Sequence, residues 1–201
     1  AAVPDTVASL VKNGHKVYTI PVGGTSVIGD IGFADGMVEL HEQMDSLGIE
    51  MDFVAHSTGS GGMLAGLVAG KALIDSSVKI LSFRASEKTE DHPEWVAGIA
   101  TEILEVLGES KKIRPEDLNM DASYLAPGYE KPNSLADEAI KMLAREEGIL
   151  IDPVYGAKAL AGLFDYINRG LIPTGSNVVF WHTGGIAAYF AEKEILGDIR
   201  N

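Results

Sequence analysis

The run Phe53-Val54-Ala55-His56-Ser57-Thr58-Gly59-Ser60-Gly61-Gly62-Met63-Leu64-Ala65-Gly66-Leu67 limits the fold more than any other part of the chain. An apolar, strand-like stretch feeds a turn of serine, threonine and glycine. The turn feeds a segment of glycine, alanine and leucine that reads as a helix. A glycine turn at a helix N-terminus is an anion site in waiting, because free N–H groups point outward and the helix dipole adds positive potential. Glycine lets a ligand approach the backbone, and the hydroxyls of Ser57, Thr58 and Ser60 add donors. The reading is a phosphate pocket. The plain alternative is a tight strand-to-helix turn with no ligand.

Nucleotide motifs do not fit. The stretch lacks G-x-x-x-x-G-K-[ST], so no lysine is placed for a β- or γ-phosphate and no hydroxyl for magnesium. The spacing Gly59, Gly61, Gly62, Gly66 also misses G-x-G-x-x-G, because Leu64 stands three residues after Gly61.

Apolar runs of strand length alternate with helix-period segments along the 201 residues, enough for one α/β unit over residues 1–201 with a substantial core. Strands are predicted at 16–20, 52–55, 78–83, 149–151 and 177–182. Helices are predicted at 4–12, 36–47, 61–73, 94–107, 134–147 and 156–168. In the 94–107 helix, Ile99, Ile103, Val106 and Leu107 share a face. Ser134 reads as the N-cap of the next helix, with Ala136, Ala139, Ile140, Leu143 and Ala144 inward and Gly148 as its stop. Continuously apolar strands alternating with helices predict a buried, mostly parallel sheet flanked by helices.

Ligands of such folds sit beyond the carboxyl ends of the strands. Four polar turns fall there: residues 21–26, 57–62, 152–156 and 182–185. Tyr155 stands at one of these ends, where a phenol can transfer a proton if a nearby cation or cofactor lowers its pKa. Tyr129 lies in a loop between Pro127 and Pro132 and suits a substrate-facing role, or that of a packing anchor. His182 reads as a histidine satisfied by backbone rather than a base, and Asp152 before Pro153 as a cap or turn former. The histidines show no metal-ligand spacing.

A formal charge of −13 argues against a nucleic-acid backbone as partner and gives no attraction to an anionic membrane. No stretch of about 18 apolar residues is present for a membrane span. Without cysteine, disulfides and thiolate metal sites are excluded. A cytoplasmic enzyme is the expectation.

Taken in order, Ile20-Pro21-Val22-Gly23-Gly24, Ser57-Thr58-Gly59-Ser60-Gly61-Gly62, Ala126-Pro127-Gly128-Tyr129, Glu147-Gly148-Ile149-Leu150-Ile151-Asp152-Pro153-Val154-Tyr155 and His182-Thr183-Gly184-Gly185 resemble the D-cysteine desulfhydrase and 1-aminocyclopropane-1-carboxylate deaminase family. These are pyridoxal-phosphate enzymes of the tryptophan-synthase-β-like fold (fold type II). The resemblance implies that Thr58, Gly59, Ser60, Gly61 and Gly62 cradle the cofactor phosphate. It places Tyr155 near the pyridine ring and the substrate, Tyr129 facing the substrate as a second phenol, and Thr183 near the ring nitrogen. It also implies a small amino-acid substrate, α,β-elimination to pyruvate, ammonia and sulfide, and a homodimer.

Two departures stand out. The deaminases carry a glutamate directly after the tyrosine matching Tyr155 and desulfhydrases usually a threonine; this chain has Gly156, which tilts the reading toward a desulfhydrase-like lyase. The family's Schiff-base lysine, in a Gly-Gly-Asn-Lys motif, and its serine-asparagine carboxylate loop have no counterpart. The chain is therefore expected to be the C-terminal part of a larger two-domain enzyme, inactive alone, with the lysine on an N-terminal segment or partner chain. A non-catalytic phosphate-ligand binding module is the alternative of another class.

Overall fold

A computed structural model describes residues 2–191. The helices are α1 (Ala2–Lys12), α2 (Val27–Ser46), α3 (Gly62–Leu73), α4 (His92–Val106), α5 (Ser134–Glu147), α6 (Gly156–Asn168) and α7 (Ile186–Ala191). The strands are β1 (Phe53–Thr58), β2 (Lys79–Arg84), β3 (Met120–Asp121) and β4 (Val178–Phe180). They form one parallel sheet in the order β3-β2-β1-β4.

Alternation along the strands divides the core between the two faces. Val54 and Ile80 point to the side covered by α2, α3 and α4, where Met37, Leu64, Leu67, Ile103 and Leu104 pack. Phe53, Ala55, Leu81 and Phe83 point to the side covered by α5 and α6, where Ile140, Leu160 and Leu163 pack. The result is the helix–sheet–helix sandwich that the alternation predicts.

Helix α2 lies unusually close to α3 because α3 presents Gly62, Gly66 and Gly70 on one face. A Cβ at Gly66 would meet the Phe33 Cβ at 2.5 Å, and one at Gly70 the Met37 Cβ at 2.7 Å. This close packing fixes how α2 reaches the glycine turn.

Several predicted elements are corrected. Residues 16–20 belong to no strand: Tyr18 is 74% and Ile20 72% exposed, and no described neighbour supplies the ladder such a run needs. Residues 149–151 are not a strand either; the Leu150 carbonyl accepts a hydrogen bond from His182 instead. Helix α2 begins at Val27, well before residue 36, with the Ser26 hydroxyl accepting from Gly29 N–H at 3.1 Å. Its glycines at 29, 32 and 36 hide the helical period in the sequence. The N-cap of α5 is Asn133 rather than Ser134: its side-chain oxygen accepts from Ala136 N–H. On α4, Val106 and Leu107 are exposed and the buried face is Val96, Ile99, Ala100, Ile103 and Leu104. The last strand is shorter than 177–182. Among the described residues no helix is long and apolar enough to cross a membrane.

Candidate active site

The central strand β1 has β2 on one side and β4 on the other: the chain moves outward from β1 to β2 and β3, then returns to add β4 on the opposite side. A crevice at such a point, outside the carboxyl ends, is where open parallel sheets bind ligands. A cavity of about 590 Å³ lies there, lined by the turn after β1, by Ser86 and Lys88 after β2, and by Thr183, Gly184 and Gly185 after β4.

The turn after β1 forms the floor. Gly61 is the N-cap of α3 with φ 99°, a conformation costly for any residue with a side chain. A Cβ at Gly59 would touch the Tyr155 ring at 3.1 Å, and one at Gly62 would lie 2.7 Å from Asp30 Oδ2. Every side of the turn is thus held by a neighbour, while the N–H groups opening α3 are left for a ligand. The turn at residues 21–26 clasps it from outside: Thr25 Oγ1 donates to Ser60 Oγ at 2.6 Å. Thr58 and Ser86 also line the cavity, and their buried hydroxyl oxygens have no hydrogen-bond partner. Buried polar atoms rarely stay unpaired, so two such hydroxyls at one cavity mark a place for a polar ligand group.

The two phenols meet at the rim. Tyr129 and Tyr155 share a hydrogen bond of 2.7 Å between their hydroxyl oxygens, with the rings edge to face. That bond, with burial second, holds the Tyr129 phenol above its ordinary pKa. Tyr155 owes its place to Asp152, whose carboxylate accepts from the N–H groups of Val154, Tyr155 and Gly156 at 3.0, 2.7 and 2.8 Å. The cap role read from the sequence is what the structure shows. Tyr129 is held from below by Lys158, a buried residue of the first turn of α6. Its ammonium donates to Gly128 O at 2.6 Å and Leu125 O at 3.3 Å. Asn133 donates to Ala126 O at 2.6 Å from the other end of the loop.

The structure therefore gathers Thr58, Gly59, Ser60, Gly61, Gly62, Tyr129, Tyr155 and Thr183 around one cavity. His182 lies outside it; its Nε2 faces Leu150 O and its Nδ1 accepts from Gly184 N–H, so it is satisfied by backbone, though exposed rather than in the core. Asp30, Ser86 and Lys88 also line the cavity and were not singled out in the sequence. The edge rule could have found Ser86 and Lys88, since both follow a strand end; Asp30 carried no such signal.

At position 156 a Cβ would meet Ile151 Cγ1 at 2.6 Å and Asp152 Oδ1 at 2.8 Å. The missing glutamate or threonine is thus a matter of space as well as sequence: no side chain fits there without rearrangement.

Residues 2–184 match a family model described as "Pyridoxal-phosphate dependent enzyme". The chain is 34% identical over 195 residues to a 1-aminocyclopropane-1-carboxylate deaminase of Burkholderia vietnamiensis, covering 96% of this chain and 58% of that protein. It is 33% identical over 187 residues to a D-cysteine desulfhydrase of Salmonella newport, covering 92% and 56%. Among solved structures, an ACC deaminase homologue superposes with a TM-score of 0.85 at 29% identity, over 97% of this chain and 57% of that one. A fungal L-serine ammonia-lyase from Rhizomucor miehei, at 17% identity and TM-score 0.54, shares the fold. The chain spans a little over half the length of these relatives.

Proposed function

This chain belongs to the family of pyridoxal-phosphate dependent enzymes, and on that footing we propose that it is the phosphate-cradling, phenol-bearing part of a D-cysteine desulfhydrase-like lyase. The reaction is elimination of a sulfur or similar β-substituent from a small amino acid, with water converting the product to pyruvate and ammonia. The observation that carries the reading is the Tyr129–Tyr155 hydroxyl pair, set across the same cavity as the glycine turn.

The residues present fit the cofactor. The N–H groups of Gly59 to Gly62 and the unpartnered hydroxyl of Thr58 would hold its phosphate, and Thr183 would stand toward the ring nitrogen. When bound, pyridoxal phosphate supplies the electron sink for bond breaking at the substrate α-carbon. The protein orients the bond and handles protons. Because ionising Tyr129 is disfavoured, Tyr129 serves as hydrogen-bond donor, and Tyr155 holds or moves a proton at the substrate's β-substituent. The nucleophilic lysine belongs to a segment or partner chain outside these residues. Lys158 cannot take that part, since its ammonium is committed beneath the Tyr129 loop. The working enzyme is a cytoplasmic homodimer in which residues 1–201 form one α/β unit.

A second reading, deamination of 1-aminocyclopropane-1-carboxylate, is favoured by the relative from Burkholderia vietnamiensis. Gly156 weighs against it: opening a cyclopropane calls for a more strongly electron-withdrawing ring than β-elimination does, and this chain has no carboxylate at position 156, where a side chain would first have to displace Ile151 and Asp152. Assays of the full-length protein separate the two. Pyruvate from D-cysteine supports the desulfhydrase, 2-oxobutanoate from 1-aminocyclopropane-1-carboxylate supports the deaminase, and absence of both supports a non-catalytic phosphate-ligand module.

A further inference from the structure

The anion end of the cavity contains an anion of its own. Asp30, in the first turn of α2, is only 2% exposed, yet it lines the cavity. Its carboxylate packs against Gly62, the first residue of α3, at a spot where no Cβ could stand. Its Oδ2 also accepts from Ser26 N–H at 3.2 Å, at the start of α2. The carboxylate thus sits between the N-termini of two helices, in the positive potential that a phosphate would use.

The charged and titratable groups that face this end are few. Lys88 comes from the segment after β2, and Asp152, Tyr129 and Tyr155 stand across the cavity. His92 of α4 lies behind Gly61 and is held toward its neutral form, first by burial and then by Lys88 and Arg84. None of the described residues forms an ion pair with Asp30. Burial without a countercharge pushes its carboxyl up to about 6.

Building on the cofactor reading above, we propose that Asp30 is an internal competitor for the phosphate cradle, so that the phosphate's contribution to cofactor affinity depends on whether Asp30 is ionised. Protonated, the acid has an O–H to give to a phosphate oxygen. Ionised, it only accepts, and it repels a phosphate dianion across a poorly solvated gap. In ligand-free protein this point is occupied by the Asp30 carboxyl group, and in bound protein the phosphate takes up the N–H groups beside it. Proton uptake by Asp30 accompanies the exchange.

The test uses the full-length apoenzyme titrated with pyridoxal 5′-phosphate and with pyridoxal, which lacks the phosphate. The ratio of the two dissociation constants isolates the phosphate contribution from the chemistry of the aldehyde. If bound phosphate raises the Asp30 midpoint by about one unit, this ratio at pH 8 is about tenfold larger in Asp30→Asn than in wild type. The isosteric amide keeps an acceptor for Ser26 N–H.

A second measurement needs no variant. The carbon-13 carboxyl signal of Asp30, followed against pH in wild-type protein, moves its midpoint upward by about one unit or more when pyridoxal 5′-phosphate is added. A midpoint that stays or falls, or a ratio unchanged or smaller in Asp30→Asn, overturns this inference and leaves the cofactor reading standing. Failure of wild-type protein to bind pyridoxal 5′-phosphate at all overturns both.

Discussion

The hydroxyl oxygens of Tyr129 and Tyr155 lie 2.7 Å apart although 26 positions separate them in the chain, and a single helix, α6, holds both. Tyr155 is the N-cap residue of α6, and Lys158, one turn in, ties down the loop that carries Tyr129. Each phenol is expected to matter to chemistry more than to folding. Tyr155→Phe should lower kcat for pyruvate formation by about 10²- to 10⁴-fold, the range for loss of a positioned proton donor. Tyr129→Phe should cost less, because it acts through its neighbour. Thermal unfolding of both variants should stay close to wild type; steady-state kinetics on full-length protein checks the order.

Lys158 separates positioning from chemistry. Lys158→Met leaves the carbonyls of Gly128 and Leu125 without their donor. The cost to stability should be about 1–3 kcal/mol, as for other buried groups left unpaired. The kcat should fall in step with Tyr129→Phe, and the double variant should be no slower than the sum of the singles predicts. Chemical denaturation together with single and double variant kinetics tests this.

The α2–α3 contact predicts a stability effect with no direct catalytic counterpart at the far end of the helix. Gly70→Val would drive a side chain into Met37 and Ala34. The expected loss is about 1–3 kcal/mol, the usual range for overpacking a tight contact. Gly98→Ala, where nothing lies within 4 Å of the added Cβ, should be neutral or slightly stabilising. Urea titration of the two variants distinguishes them.

Two buried groups set opposing pH dependences. His56 is fully buried, with Nδ1–H donated to the Ser57 carbonyl, and burial depresses its pKa to about 4. The unfolded chain binds a proton there that the native state refuses, so stability is lost as pH falls from about 6.5 toward 4. Asp30 runs the other way. Its native pKa of about 6 lies above the ordinary value of 3.8, so stability is lost as pH rises from 3.8 through 6. In Asp30→Asn the second slope disappears. The variant should gain stability more steeply than wild type between pH 4 and 6, and be more stable by about 1–3 kcal/mol at pH 7. Denaturant unfolding across that pH interval is the measurement.

Elements with a local apolar pattern were legible in the sequence: α3, α5, α6 and β2 fall within a residue or two of expectation, while β1 runs three residues past its expected end, to Thr58. The start of α2 was not, because Gly29 and Gly36 are chosen for contacts with the Gly24 carbonyl and Trp181 that only the folded chain reveals. The glycine turn could be read because strand ends define the ligand edge of a parallel sheet; Tyr155 was read by the same rule from residues 149–151, which form no strand, and it reaches the cavity as the N-cap residue of α6. Tyr129 needed the family resemblance, as nothing in its loop sequence says which way it faces. Asp30 escaped both routes. It looks like an ordinary first-turn acid, and its character arises from the bare backbone of Gly62 beside it.

The most direct test of the central claim is the structure of the full-length protein crystallised with pyridoxal 5′-phosphate. The account predicts the phosphate seated against the N–H groups of Gly59 to Gly62, with the Thr58 hydroxyl, unpaired here, as one of its donors at about 2.7–3.2 Å. A phosphate held elsewhere, with the 57–62 turn empty and the Thr58 hydroxyl still without a partner, would contradict it.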